Sequence, residues 1–285
     1  MTARRAASRR RGAAHARRPG PPLRHRLRGS LPAVGRILAL VAFAGLVVGL
    51  VLLVNGPWLR VRETVWAGER YTSDGQIERV LASVTGAPLL AIDSGALSSR
   101  LAELPAVASA SVETFLPDRV AVAIVEKTAA VVWTTSAVAL ICAADGTAIG
   151  QLARGAALPD DLAGLPQVDD RRTASRNIIV GDRIEASRFV TAVHLAALDP
   201  ATMGSAATRL SVLLDDESGF TLAARSQGWS AVFGLYEPDL TADPALLDQR
   251  IADQVAAIRT LFGAETEGGV SWIDARDPGR VYWRP

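Results

Sequence analysis

The chain has 285 residues, and its 31 basic and 29 acidic residues are distributed very unevenly. Residues 1–62 hold 13 arginines and no acid, whereas residues 63–285 hold 18 basic and 29 acidic residues, a formal balance of −11. This split excludes a uniformly basic surface of the kind that binds nucleic acid. The single cysteine, Cys142, excludes an intramolecular disulfide and a cysteine-rich zinc site.

Residues 1–36 form an Arg-rich segment that we expect to be a disordered cytoplasmic tail. Its prolines and its high positive charge favour disorder. The same charge leaves binding to anionic lipid or to DNA open, although such a tail more often only sets membrane topology.

An apolar run of 18 residues, 37–54, predicts a membrane anchor. As a helix it spans about 27 Å, which approaches the hydrocarbon thickness of a bilayer, so we assign residues 37–57 to a transmembrane helix. The basic excess before it predicts a single-pass plasma-membrane protein with a cytoplasmic amino terminus and an extracytoplasmic carboxyl terminus. A cleaved signal peptide is the alternative, but the basic lead is too long and no small-x-small site follows Val54.

The segment 60–128 predicts the order β-α-α-β-β. A strand over residues 61–67 precedes two helices, which begin at a Ser73–Gln76 capping box and at Asp93. Two strands then follow, Val107–Phe115 and Arg119–Glu126, which are joined by a turn at Leu116-Pro117-Asp118. The second of these strands places Val120, Val122 and Ile124 on one face.

The segment 129–285 predicts further strands with two longer helices among them. We expect the helices at 184–198, with Phe189, Val190, Val193 and Ala197 on one side, and from Asp243-Pro244 to Gly263. Residues 154–177 are rich in Asp, Arg, Pro and Ala, and we interpret them as irregular. The predicted strands are Ala129–Thr134, Val138–Ala143, 208–214, 220–225, 230–235, 270–275 and 280–284.

Residues able to carry chemistry are few in this sequence. His194 lies in an apolar helical pattern and Lys127 at the end of a predicted strand, so a packed or surface His and a solvated charge are favoured over a catalytic role. Asp215, Asp216 and Glu217 could hold a metal, but Gly219 after them favours a hairpin turn. Cys142 lies in the apolar run ALICAA, which favours a small core residue.

The pair Asp169-Asp170 followed by Arg171-Arg172 is interpreted as solvated charge. We therefore predict no catalytic residue, no cofactor and no metal site. A small-molecule substrate and a nucleic-acid partner are not expected either.

The ordered set of segments resembles a POTRA domain. It is carried by VRETVWAG at 61–68, by residues 72–127 and by AAVVW at 129–133, and the ending WIDARDPGRVYWRP at 272–285 adds a second likeness. With a basic tail and one anchor before it, the layout resembles the FtsQ/DivIB family of bacterial cell-division proteins. The resemblance implies an α+β chain: a disordered tail, one transmembrane helix, a POTRA domain over 60–128 and a mixed, mostly antiparallel β-domain over 129–285.

The same resemblance implies a divisome scaffold at the division septum. Such a protein recruits and regulates septal wall synthesis by binding FtsB/DivIC-like and FtsL-like membrane proteins through its carboxyl-terminal sheet. The candidate partner-binding residues are Val281, Tyr282 and Trp283, and the alternative is that they only complete the core. A POTRA-containing envelope transport or assembly module and a membrane-anchored envelope enzyme remain the alternative functions.

Overall fold

The computed structural model describes residues 33–277 and 279–285. The predicted tail, residues 1–36, therefore lies outside the described residues except for its last four positions. The fold is α+β, as predicted, with one long apolar helix followed by two mixed β-sheets and their helices.

Helix α1 (Ala33–Asn55) contains the whole predicted apolar run. The side chains of Leu38, Phe43 and Leu46 are 65–70% exposed, so no other part of the described chain covers them. By length and composition α1 is able to cross a membrane. The chain divides within α1, between Leu50 and Val51, and residues 51–285 form one compact unit.

The elements after α1 closely follow the sequence expectations up to residue 143, whereas strand β6 at Ala148–Ala153 was not predicted. The helices are α2 Asp74–Leu81, α3 Ser94–Ala102, α4 Asp160–Ala163, α5 Ala186–Ala196, α6 Pro238–Ala242 and α7 Pro244–Ala264. The strands are β1 Glu63–Ala67, β2 Val107–Phe115, β3 Arg119–Glu126, β4 Ala129–Thr134, β5 Val138–Ala143, β6 Ala148–Ala153, β7 Gln167–Asp170, β8 Ser211–Asp215, β9 Gly219–Ala224, β10 Trp229–Gly234, β11 Trp272–Asp274 and β12 Tyr282–Arg284.

The small module comprises β1, α2, α3, β2 and β3, in the predicted order. Its sheet has the strand order β1-β3-β2, with β1 parallel and β2 antiparallel to β3. The predicted caps are present at the amino-terminal ends of α2 and α3. Ser73 N–H donates to Gln76 Oε1 at 3.1 Å, and Asp93 Oδ1 accepts from Ala96 N–H at 2.9 Å. The predicted inner face of β3 is confirmed, because its alternate side chains are buried in one core with those of both helices. The buried residues of β3 are Val120, Val122 and Ile124.

The large module is built on a nine-stranded sheet in the order β12-β11-β10-β9-β8-β7-β4-β5-β6. Five of its strand pairs are antiparallel and three are parallel, as expected for a mixed, mostly antiparallel sheet. Helices α5 and α7 contribute to the main core of this sheet. Trp133 and Trp229 are its largest fully or almost fully buried side chains.

The interpretation of residues 154–177 as irregular is wrong. The segment contains α4 and β7, and β7 lies inside the sheet between β4 and β8, parallel to both. Only Val168 gives β7 a buried apolar side chain, so a four-residue strand rich in acid carries no periodic signal. The backbone hydrogen-bond partners of β7 come from β4 and β8, which are distant from it in sequence.

The predicted helix 184–198 is shorter in the structure, and its inner face is shifted. Phe189 is buried as expected, but Ala192 and Leu195 complete that face, whereas Val190 and Val193 are only partly buried. The reason is that α5 packs against the sheet through Phe189, Ala192 and Leu195, which are spaced three residues apart.

The two modules share a small apolar seam. Ala106 from the small module is buried against Ile141, Ile149 and Leu162 of the large module. At the rim of the seam, Lys127 Nζ lies 3.0 Å from Asp145 Oδ2. The small module is therefore packed against the large one rather than joined to it only by the chain.

Candidate functional site

The carboxyl-terminal strand β12 lies at one edge of the nine-stranded sheet. It pairs antiparallel with β11, where Trp283 is opposite Ile273 and Tyr282 opposite Asp274. Within residues 33–277 and 279–285 no strand pairs with its other side. An edge of this kind offers backbone N–H and C=O groups to an added strand.

The opposite edge of the sheet, β6, is partly covered by the chain itself. Ala148 N–H donates to the Asp182 carbonyl at 2.9 Å, and Gly181 N–H donates to the Ala148 carbonyl at 2.8 Å. The two edges therefore differ, because the start of β6 is bonded to another segment of the chain, whereas no described strand pairs with the outer side of β12.

The three predicted partner-binding residues occupy different environments on this edge. Tyr282 is 53% exposed and Trp283 is 39% exposed, whereas Val281 is partly buried against the main core. Because successive side chains of a strand alternate, Trp283 lies on the face of the buried Ile273 and Tyr282 on the opposite face. A partner strand beside β12 would therefore meet one aromatic side chain on each face.

A groove of about 710 Å³ adjoins this edge. One wall is a side of α7 that carries small residues, among them Ala256 and Thr260, and the other wall includes Gly279 and Val281. Small residues on a helix leave room for a large side chain or a short helical segment of a partner. The sequence could not reveal this groove, because α7 and the residues just before β12 come together only in the folded chain.

Gln254 fixes α7 to the strands that carry the edge. Its buried side-chain amide donates to the carbonyls of Phe233 at 3.0 Å and of Ala275 at 2.9 Å. Its Oε1 accepts from the hydroxyl of Tyr236 at 2.6 Å. Burial raises the pKa of Tyr236, so the phenol stays protonated and remains a donor.

Glu267 holds the turn between α7 and β11. Its carboxylate accepts from Trp229 Nε1 at 2.6 Å and from Ala206 N–H at 2.9 Å, and it also accepts from the Ser205 hydroxyl. Burial alone would raise the pKa of Glu267, but these hydrogen bonds outweigh it and lower the pKa. The carboxylate thus helps to hold β11, and through it β12, in place.

Two arginines, Arg276 and Arg284, lie on or near the edge strand. Arg276 Nε lies 2.9 Å from Asp274 Oδ1, and this bond lowers the pKa of Asp274. The guanidinium of Arg284 lies 4.8 Å from the centroid of the Trp272 ring. The edge therefore combines open backbone, exposed aromatic rings and cationic side chains, which are the groups that protein interfaces favour.

The residues weighed for catalysis have structural partners. His194 Nδ1 lies 2.7 Å from Asp248 Oδ1, which links α5 to α7. Lys127, expected to be a solvated charge, instead pairs with Asp145 just after the end of its strand, and only 27% of its side chain is exposed. Cys142 is fully buried, as predicted for a core residue, and burial raises the pKa of its thiol to about 12.

The acidic cluster forms a turn, as predicted. Asp215 Oδ1 accepts from the N–H groups of Glu217 at 2.9 Å and Ser218 at 2.6 Å, and Asp216 Oδ2 accepts from Thr173 N–H at 2.9 Å. Among the described residues, no group of three or more His, Cys, Asp or Glu side chains is placed to hold a metal ion.

The interpretation of residues 169–172 as solvated charge is wrong for one pair. The side chain of Asp170 is 0% exposed and that of Arg172 only 12%. Asp170 Oδ2 accepts from Trp133 Nε1 at 3.0 Å and from Arg172 Nη2 at 2.7 Å. A charged strand end buried beneath a tryptophan has no sequence signature, because the partner Trp133 is 37 positions away.

Comparison with known proteins identifies the small module. Residues 59–127 match the family model for the POTRA domain, FtsQ-type. The chain is also 33% identical over 108 residues to the cell division protein FtsQ of Mycobacteroides abscessus. The aligned region covers 38% of this chain and 35% of that protein. The match thus spans about a third of the length of this relative. An amino-terminal apolar helix, the only one long and apolar enough to cross a membrane within residues 33–277 and 279–285, is followed directly by an FtsQ-type POTRA domain, and this layout fits a protein of the FtsQ/DivIB family.

Proposed function

We propose that this protein is a membrane-anchored scaffold of the cell-division machinery, which recruits and regulates septal wall synthesis by binding other proteins. Support comes from the FtsQ-type POTRA domain and from the likeness to a cell division protein. In this proposal α1 crosses the plasma membrane once, the amino terminus is cytoplasmic, and residues after 57 lie outside at the septum.

The observation that carries the proposal is the open strand β12. Its free backbone can extend the sheet by one strand, and Tyr282 and Trp283 supply exposed aromatic area on both faces. The partners are small division membrane proteins of the FtsB/DivIC and FtsL kinds, and no catalysis is required of this chain.

The groove beside α7 gives the proposed contact a second part. A partner whose extended segment pairs with β12 is expected to place its neighbouring residues in the groove lined by Ala256, Thr260 and Val281. This arrangement combines main-chain affinity with side-chain specificity.

The test is a pull-down from membranes that express the tagged full chain. Tyr282→Ala and Trp283→Ala are each expected to weaken capture of the partner by about 2 kcal/mol, the cost typical of an aromatic hot spot. Ala256→Arg, which fills the groove, is expected to act in the same direction. The matched control is Ala252→Arg, an exposed position on the same helix that does not line the groove.

Three outcomes would decide against the proposal. Capture unchanged by all three site variants would exclude the β12 edge as the contact. Co-purification with a β-barrel or a translocase instead would favour an envelope transport module. Normal cell division after depletion of the protein would exclude the scaffold role.

A further inference from the structure

One end of the small module exposes an unusual amount of apolar surface. After α1, ten large apolar side chains of the described residues are exposed, and four of them belong to three chain segments that meet at this end. They are Trp58 at 74%, Leu90 at 58%, Phe115 at 47% and Leu116 at 70%. We call this surface the anchor-proximal end.

Backbone hydrogen bonds bring the three segments together. The N–H groups of Arg62 and Glu63 donate to the carbonyl of Asp118 at 2.9 and 3.2 Å, so the Leu116 turn lies beside the start of β1. On another side, Val61 N–H donates to the Ala87 carbonyl at 3.0 Å.

The loop that carries Leu90 runs toward Trp58. Arg60 forms an antiparallel bridge with Pro88. Residues after 88 therefore continue in the direction of the residues before 60. Leu90 and Trp58 thus share one end of the module with the β2–β3 turn.

Chain connectivity places Trp58, one member of this surface, next to the anchor. Only Gly56 and Pro57 separate Trp58 from Asn55, the last residue of α1. Three peptide steps span at most about 11 Å. The segment is also tied to the module, because Arg62 Nη2 donates to the Pro57 carbonyl at 3.1 Å.

The charges of this end suit lipid phosphates. Arg119 is paired with Glu63, with Nη2 and Oε1 2.7 Å apart. Arg60 and Arg62, by contrast, are exposed and donate only to backbone carbonyls within the part of the chain that the structure describes. Their positive charge is therefore available to an anionic partner.

We propose that the anchor-proximal end docks on the lipid headgroup layer of the membrane that α1 enters. Trp58, Leu90, Phe115 and Leu116 enter the interfacial layer, and Arg60 and Arg62 face lipid phosphates. Aromatic and aliphatic side chains flanked by arginine are the composition of interfacial anchors. A lipid partner is favoured over a protein partner because the chain holds Trp58, one member of this surface, within about 11 Å of the end of α1.

Docking would give the small module a second membrane contact besides its anchor. Two contacts restrict its tilt on the bilayer more than the chain connection at Gly56 alone would. The inference requires α1 to be a membrane helix, but it does not depend on a role in cell division.

The experiment uses the full chain in lipid nanodiscs that contain phosphatidylglycerol. Leu90→Cys and Leu116→Cys are labelled with a fluorophore, and quenching by a nitroxide-bearing lipid is compared with quenching by aqueous iodide. The control is Val125→Cys, which is 59% exposed near the other end of β3. The parent chain serves as the labelling blank, because its only thiol, Cys142, is fully buried.

We expect positions 90 and 116 to be quenched by the nitroxide lipid several-fold more than position 125, and to be several-fold less accessible to iodide. Adding Trp58→Ser and Phe115→Ser to the Leu116→Cys chain should reduce the lipid quenching. This double change separates docking from simple tethering, since the anchor is unaltered.

Equal iodide access at all three positions would overturn the proposal, and so would lipid quenching that survives the double change. Protection of positions 90 and 116 in cells but not in nanodiscs would assign the surface to a protein partner instead. None of these results bears on partner capture by β12, so the two proposals fail separately.

Discussion

At the scale of single residues, two carboxylates have roles that their neighbours in sequence do not indicate. Asp170 neutralises a nearly buried guanidinium and accepts from an indole, and Glu267 accepts from three donors on two separate segments. Each is stabilised because buried donors and acceptors are costly when they lack a partner.

We predict that Asp170→Asn destabilises the fold by about 3–5 kcal/mol, the usual cost of breaking a buried ion pair. The change leaves the Arg172 guanidinium, 12% exposed, without its counter-charge. Urea denaturation of the purified full chain measures the effect. Glu63→Gln, which breaks the exposed pair with Arg119, is the control and should have little effect. Equal losses in both variants would contradict the prediction.

A pH dependence follows from Glu267, whose pKa is lowered from its ordinary value of 4.5. A lowered folded-state pKa gives stability that is present above the unfolded pKa and is lost as the pH falls through the folded one. The wild type should therefore lose its advantage over Glu267→Gln on acidification from about pH 6 to about pH 3. Thermal unfolding at several pH values tests this.

The matched control for this pH series is Glu265→Gln, an exposed position two residues earlier. Its difference from the wild type should stay small throughout. A difference between wild type and Glu267→Gln that grows on acidification would reverse the assigned sign.

At the scale of elements, the hairpin β8–β9 depends on a glycine for two reasons. Gly219 has φ +71°, and a Cβ there would lie 2.5 Å from the carbonyl carbon of Gly234. Gly228, between β9 and β10, has a similar φ of +83° but open space around its Cα. Comparing alanine substitutions at Gly219 and Gly228 therefore separates the cost of backbone strain from the cost of steric contact.

We predict that Gly228→Ala costs about 1–2 kcal/mol, the penalty for a left-handed non-glycine residue. Gly219→Ala should cost about 1–3 kcal/mol more, because the added methyl group meets backbone that cannot move aside easily. Chemical denaturation of the two variants measures both values. Equal costs would show that the close contact with Gly234 does not matter.

At the scale of the whole molecule, the proposed topology separates a basic segment from an acidic one. Alkaline phosphatase fused after residue 285 should be active, because we place the carboxyl terminus outside the cytoplasm. A green fluorescent protein fused at the amino terminus should fluoresce in the cytoplasm. Inactive phosphatase with the carboxyl terminus accessible only from the cytoplasm would contradict the assigned direction.

Much of the fold could be predicted from the sequence where local signals agree. The anchor follows from an unbroken apolar run, and the small module follows from caps, alternating side chains and a Pro turn, all within about 65 residues. These signals act between near neighbours, so they are readable along the chain. The position of Tyr282 and Trp283 near the chain end was also evident, and their exposure at a sheet edge was the open question.

The tertiary structure alone decided the order of the nine strands. Strand β7 inside the sheet, the groove beside α7 and the burial of Asp170 under Trp133 all depend on contacts between distant segments. Such contacts form because backbone groups and charges must find partners once water is excluded, and the partner can come from any part of the chain. Local sequence therefore determined most of the elements, and long-range packing determined strand β7 and which edge and which surfaces remain available for binding.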